Sequence, residues 1–202
     1  MRPPRIPPLI ADLVQTALQV FDNLEFATRS ACPRCGGPVQ GYDTKPKKFA
    51  TIVENGQERV ITVRVKRFRC RSCGELCYAD EPFYPGTRIG SPVIDLFTSF
   101  SSIMPRSRAA RVIGALGISV DRTTWKNYTA KDFSDIPEMD MFGMRLPASI
   151  MILSTIAARS GDASRPDPQE ILKACGHPSS RRPEDARSPP PGTAPRDEHT
   201  RE

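Results

Sequence analysis

The sequence predicts an α+β fold: a small β-hairpin unit clasped by cysteines, then a domain of three short helices, then a polar tail. Two Cys-x-x-Cys pairs, Cys32/Cys35 and Cys70/Cys73, are each followed by glycine and flank two runs rich in Val, Ile, Thr and Phe. Those runs, 48–54 and 57–69, are separated by Asn55-Gly56, and both positions of a type I′ turn require φ > 0. Beyond residue 90 the apolar spacing changes from two to three and four, the period of helices.

Four thiolates from two such pairs match a closed tetrahedral Zn²⁺ site, with the glycines giving the turn that aims backbone N–H groups at the sulfurs. One pair alone fits a redox motif; two, each followed by glycine, point to structural zinc as the cofactor. Buried thiols without metal are the alternative. Cys77 is a fifth candidate that a closed site cannot admit, and is expected to be a small buried hydrophobe.

The chain has 202 residues, 38% of them hydrophobic, and 21 prolines, room for one domain or two small ones. From residue 45 to 71 there are nine Lys/Arg and two Glu, a local excess larger than the net +6 of the chain. A focused positive field suits a polyanion, with a solvated charged face as the plainer reading. Prolines break the N-terminal apolar run, so no signal peptide is expected. The apolar stretch 150–158 is shorter than the roughly 20 residues that span a bilayer. The expectation is no membrane and a reducing, cytoplasmic, nucleoid-associated location, where cysteines serve as metal ligands before disulfides.

In order, residues 1–26 are expected to hold an amphipathic helix over 8–25, with Pro8 in its first turn. Residues 27–79 form the zinc ribbon. Lys45, Lys47, Lys48 and Lys66 are its candidate phosphate contacts, while Arg64, Lys66, Arg67, Arg69 and Arg71 also suit the negative charge of the thiolate centre. Residues 80–90 read as a linker pinned by Phe83 and Tyr84. Residues 91–133 hold three helices: one capped by Ser91 and ended by Pro105, one capped by Ser107 and closed by Gly117, and one capped by Asp121. Residues 134–146 read as a second linker. A helix over 147–159, apolar nearly all round, should be buried. Both it and the N-terminal helix need a partner, within this chain or in a homo-oligomer. From 160 to 202 the Pro/Ser/charged composition predicts a largely disordered tail, with a helical island over 168–174.

Helix, short helix, glycine turn, capped helix is the helix-turn-helix order, whose last helix enters the major groove of double-stranded DNA. Its outward positions would be Arg122, Thr123, Lys126 and Asn127, able to read bases, with Arg106, Arg108 and Arg111 toward the phosphates. A three-helix bundle without a nucleic-acid role is the other reading.

The run Arg64-Val-Lys-Arg-Phe-Arg-Cys-Arg-Ser-Cys-Gly resembles the zinc-ribbon part of insertion-sequence transposases, particularly archaeal ones. Ser107-Arg-Ala-Ala-Arg-Val-Ile and Val120-Asp-Arg-Thr-Thr-Trp-Lys-Asn-Tyr are similar to their helix-turn-helix. The resemblance covers about half the chain and implies recognition of transposon-end DNA. In that family a ribonuclease H-like domain with three metal-binding carboxylates performs cleavage. Here the pattern departs: Asp140, Asp162, Asp167 and Glu170 fall in predicted loops without the buried strands such a centre needs. The expectation is a DNA-binding protein that is not an enzyme, a truncated transposase or a regulator derived from one. Two other readings remain: a transcription-machinery adaptor whose ribbon binds protein, and the DNA-binding subunit of a separately encoded nuclease.

Overall fold

The computed structural model describes residues 6–128, 133, 135–160 and 165–177. Over these the protein is mixed α+β, with six helices and two sheets. Helix α1 (Pro8–Gln19) carries proline in its first turn and buries Ile10, Val14, Ala17 and Leu18. It stops short of residue 25 because Asn23 turns left-handed (φ 57°) and gives its N–H to the Thr62 carbonyl at 2.7 Å. Glu25–Phe26 then form strand β1. Phe21 and Leu24 stay buried outside the helix, so their spacing imitates one more turn.

Strands β2 (Val39–Glu54) and β3 (Gln57–Cys70) form one long antiparallel hairpin, with Asn55 at φ 51° and Gly56 at φ 76° in the turn. β2 begins well before the expected residue 48. Its first half contains Gly41, Asp43 and Pro46, which obscure the strand pattern. In the sheet order β1-β3-β2 it lies at the edge, where the missing N–H of Pro46 costs no ladder bond. Irregularities between Gly41 and Asp43 and between Lys48 and Ala50 absorb the rest. β1 runs parallel to β3, and β4 (Leu76–Tyr78) pairs with the last residues of β3.

Helices α2 (Ser91–Ile103), α3 (Arg106–Ala115) and α4 (Arg122–Tyr128) fall where the spacing predicts, but two caps differ. Gly90 and Pro105 hold the cap positions, and Ser91 and Ser107 are helical. Gly117 is left-handed (φ 78°), as expected. Asp121 caps α4 by accepting the Thr123 N–H at 2.6 Å. Trp125 stacks on Phe97 with centroids 4.0 Å apart. Phe83 is buried edge-on to Phe49, so the 80–90 segment is pinned as predicted.

Hairpin and helices are joined through the outer edge of β2. Val53 donates to the Gly117 carbonyl at 2.7 Å, and Ser119 donates to that of Thr51 at 2.8 Å. The expected linker 134–146 instead contains a second hairpin, β5 (Glu138–Met141) and β6 (Met144–Pro147). It turns at Phe142 (φ 51°) and Gly143 (φ 74°), a pair without the usual Asn-Gly or Asp-Gly signature.

Helix α5 (Ala148–Ser160) packs against α1, so the two helices expected to need partners cover each other. Its burial is one-sided: Ile150, Leu153 and Ile156 face inward, while Ile152 is 47% exposed. Helix α6 (Pro168–Ala174) matches the predicted island, yet Ile171 and Leu172 are fully buried, so this part of the expected tail joins the core. Residues 178–202 lie outside the described part. One cluster of buried side chains includes Val14, Phe49, Val63, Phe100, Ile113, Leu153 and Leu172, and so crosses the predicted domain boundaries. No helix among the described residues is long and apolar enough to cross a membrane.

Asp95 is a buried carboxyl on α2, 4% exposed, and accepts the Tyr84 hydroxyl at 2.6 Å. Burial raises its pKa to about 6, against the partial relief of that hydrogen bond. The unfolded chain loses this proton near 3.8 and the folded chain only near 6. Stability therefore falls as pH rises through that window and levels above it. Asp95→Asn should remove the fall, a gain on the order of 3 kcal/mol at pH 7 measured by urea denaturation at pH 4 and 7.

Candidate metal centre and its basic surroundings

The two cysteine pairs are built alike. In the first, Gly36 (φ 70°) donates to the Cys32 carbonyl at 2.9 Å, and Cys32 donates to that of Gly37 at 3.0 Å. In the second, Gly74 (φ 73°) donates to Cys70 at 3.1 Å, and Cys70 donates to Glu75 at 2.8 Å. The register places Val39 opposite Cys70, so β2 leaves directly from one turn and β3 runs directly into the other. The turns close tightly: a Cβ on Gly37 would lie 2.5 Å from Ser72 Oγ.

All four sulfurs lie within 4.8 Å of one another. Cys32–Cys73 is 3.7 Å, Cys35–Cys70 3.5 Å and Cys35–Cys73 3.4 Å. A disulfide requires about 2.05 Å, whereas four thiolates about 2.3 Å from one ion form a tetrahedron with edges of about 3.8 Å. The donor set therefore fits a tetrahedral metal ion. Cys32 and Cys70 are buried; Cys35 and Cys73 face solvent. The Cys70 thiol is lowered to about 6, because the Cys73 backbone N–H points at it and that of Ser72, at 3.4 Å, assists. Cys35 is raised to about 12: the Gly37 N–H opposes this, but crowding by the Cys73 and Cys70 thiols outweighs it. A divalent cation would relieve this crowding. Cys77 is buried beside the centre with its thiol toward the Phe68 carbonyl at 3.7 Å, as a small hydrophobe should be.

The basic residues of the hairpin do not form one patch. Lys48 stands opposite Thr62 and Lys66 opposite Thr44, which puts both on one face of the sheet. Lys45 and Lys47 stand opposite Val65 and Val63, on the other face. Lys47 is engaged: its ammonium bonds both Glu81 carboxylate oxygens at 2.7 Å and lies 4.0 Å from the Tyr78 ring centre. It is thus held as a structural ion pair, against the expectation of a phosphate contact. Lys45 is exposed and 3.5 Å from Asp43. Arg67 grips Asp43 with two bonds of 2.6 and 2.5 Å, and Arg64 is 3.5 Å from Glu25. These arginines answer carboxylates rather than the sulfurs, a pairing of residues distant in sequence that spacing alone could not reveal.

Arg106, Arg108 and Arg111 are exposed on α3, and Thr123 is exposed at the start of α4. The backbones of Arg122, Lys126 and Asn127 lie in α4, but their side chains fall outside the described part. A cleft of about 820 Å³ separates the hairpin from α4, and Lys48, Arg88, Glu58, Asp121 and Thr124 line it. Of the carboxylates weighed for catalysis, Asp140 accepts the Gly143 N–H, Asp167 caps α6 and Glu170 pairs with Arg159. Asp162 is outside the described residues. Among those described, the cysteines are the only group with metal-ligand spacing.

Comparison with protein-family models, with curated proteins and with solved structures returns no match to this chain.

Proposed function

We propose that this chain is a zinc-dependent DNA-binding protein, its zinc ribbon and helix-turn-helix akin to the recognition modules of insertion-sequence transposases, with no catalysis of its own. Zinc is the ion of choice for four thiolates in a closed tetrahedron, where it holds structure rather than activating water. The observation that carries the DNA reading is the junction between hairpin and helices. Hydrogen bonds from Val53 and Ser119 join the β2 edge to the loop before α4, so Lys48 of the hairpin and Thr124 of α4 border one cleft. Phosphate contacts from Lys48, Lys66, Arg106 and Arg108 would orient the duplex, and Arg122, Thr123, Lys126 and Asn127 would read bases.

Fluorescence anisotropy with duplexes selected from a random pool tests this reading. Affinity should fall steeply with salt, by a slope of roughly 0.9 per phosphate neutralised. Arg108→Ala should reduce that slope by about one and weaken all sequences alike. Lys126→Ala should relax sequence preference. Lys47→Ala should leave affinity within twofold, because its ammonium already belongs to Glu81. Absence of duplex binding at low salt, together with capture of a transcription factor or polymerase, would replace this reading with the adaptor.

A further inference from the structure

A second cavity, remote from the cysteines in sequence and built on other elements, carries a distinct chemistry. It measures about 460 Å³ and lies where α2, the first turn of α5 and the end of α6 meet. We propose that it binds a small organic cation, an amine bearing an apolar body, anchored by Asp95 and Ser149.

Two groups in its wall lack the partners their burial demands. Asp95 accepts one hydrogen bond, from Tyr84, and forms no ion pair among the described residues. A carboxylate offers about four acceptor positions, and a buried charge without a counterion is costly. Ser149, 9% exposed, has a buried hydroxyl with no partner, whereas Ser154 in the same helix returns its hydroxyl to the Met151 carbonyl at 2.9 Å. An ammonium supplies N–H donors to both and the missing positive charge.

The neighbours set the sign of the site. Burial raises the Cys175 thiol well above its ordinary range and lowers the His177 imidazole, so both are neutral at pH 7. The Tyr84 phenol is raised by burial as well, and its ring flanks the cavity. His177 lies 2.9 Å from Ser91 Oγ and is thereby fixed at the start of α2. Asp135 and Lys173 are exposed at the mouth, and neither pairs with Asp95. Asp95 is thus the interior charge. Asp95, Cys175 and His177 do not group with metal-ligand spacing, which favours an organic amine over a metal ion. Pro137 and Ile152 give the apolar wall, and the Tyr84 ring beside them already packs on Phe133 and His177, with centroids 4.6 and 5.6 Å away.

Calorimetric titration of the full chain at pH 7.5 with benzylamine, benzyl alcohol and benzoate tests this. Saturable binding of benzylamine alone is expected. Asp95→Asn, which keeps an acceptor for Tyr84, should weaken it about tenfold or more, and Ser149→Ala several-fold. Asp135→Asn should change it by less than twofold. The proposal is overturned if benzyl alcohol binds as well as benzylamine, if folded Asp95→Asn retains full affinity, or if no saturation is reached.

Discussion

Cys70→Ser is expected to abolish stoichiometric zinc and open the cysteine end of the hairpin, while leaving most of the molecule folded. Structural zinc contributes about 10–16 kcal/mol in small four-ligand sites, so no hydrogen bond at a serine replaces it. The sequence alone suggests that a chelator unfolds the chain. The structure narrows that to one end, because neither Cys32 nor Cys70 belongs to the continuous apolar cluster. Limited proteolysis should therefore cut Cys70→Ser near residues 29–39 and 71–76, while the signals of Trp125 and the helices persist. Cys77→Ser is the comparison: its thiol contacts the Phe68 carbonyl, and it should keep one zinc per chain. Full metal content in Cys70→Ser by elemental analysis would remove the assignment.

Gly90→Ala should be the most damaging single-methyl change in the core. The backbone at Gly90 has φ −57°, which any residue adopts, so the requirement for glycine is purely spatial. A Cβ there would lie 2.1 Å from Phe49 Cε2 and 2.3 Å from Cζ. That ring cannot step aside, since it is fully buried, stacked at 4.0 Å on Phe21 and edge-on at 5.7 Å to Phe83. The Gly90 N–H also bonds the Phe49 carbonyl at 2.9 Å, holding the two backbones together. Overpacking usually costs about 1–3 kcal/mol, and a fixed aromatic neighbour puts this case at or above the upper end. Phe49→Leu made together with Gly90→Ala should recover part of the loss, a coupling that equilibrium denaturation of all four chains would measure. Simple additivity would mean that the ring moves freely.

What could be read from the sequence was local. The Asn55-Gly56 turn, the cysteine turns, the left-handed Gly117, the Asp121 cap and the short helix over 168–174 each depend on a few adjacent residues. Their conformational preferences agree with the fold around them. What could not be read depends on residues far apart. The first half of β2 looked like loop because Gly41, Asp43 and Pro46 are tolerable only on an edge strand, and edge status follows from sheet order. Lys47 looked like a free cation because Glu81 is remote in sequence. Ser91 looked like a cap, whereas it is buried against His177, from a segment whose composition suggested no structure. The candidate site divides the same way: the four clustered cysteines are legible from spacing, but the merging of hairpin and helices is not.

The packing of α1 on α5 has a consequence for how the chain is made. The helices span residues 8–19 and 148–160, so the contact joins elements from distant parts of the sequence. During synthesis α1 is made before α5, so the part of its apolar surface that α5 covers stays open until residues 148–160 are available. The cysteine hairpin, by contrast, has both halves available once residue 73 is out, and a metal can clasp it then. The fold is thus completed by a closure between segments distant in sequence. Non-local contacts of this kind slow folding. An α1 stripe uncovered meanwhile is the surface through which nascent chains would cluster.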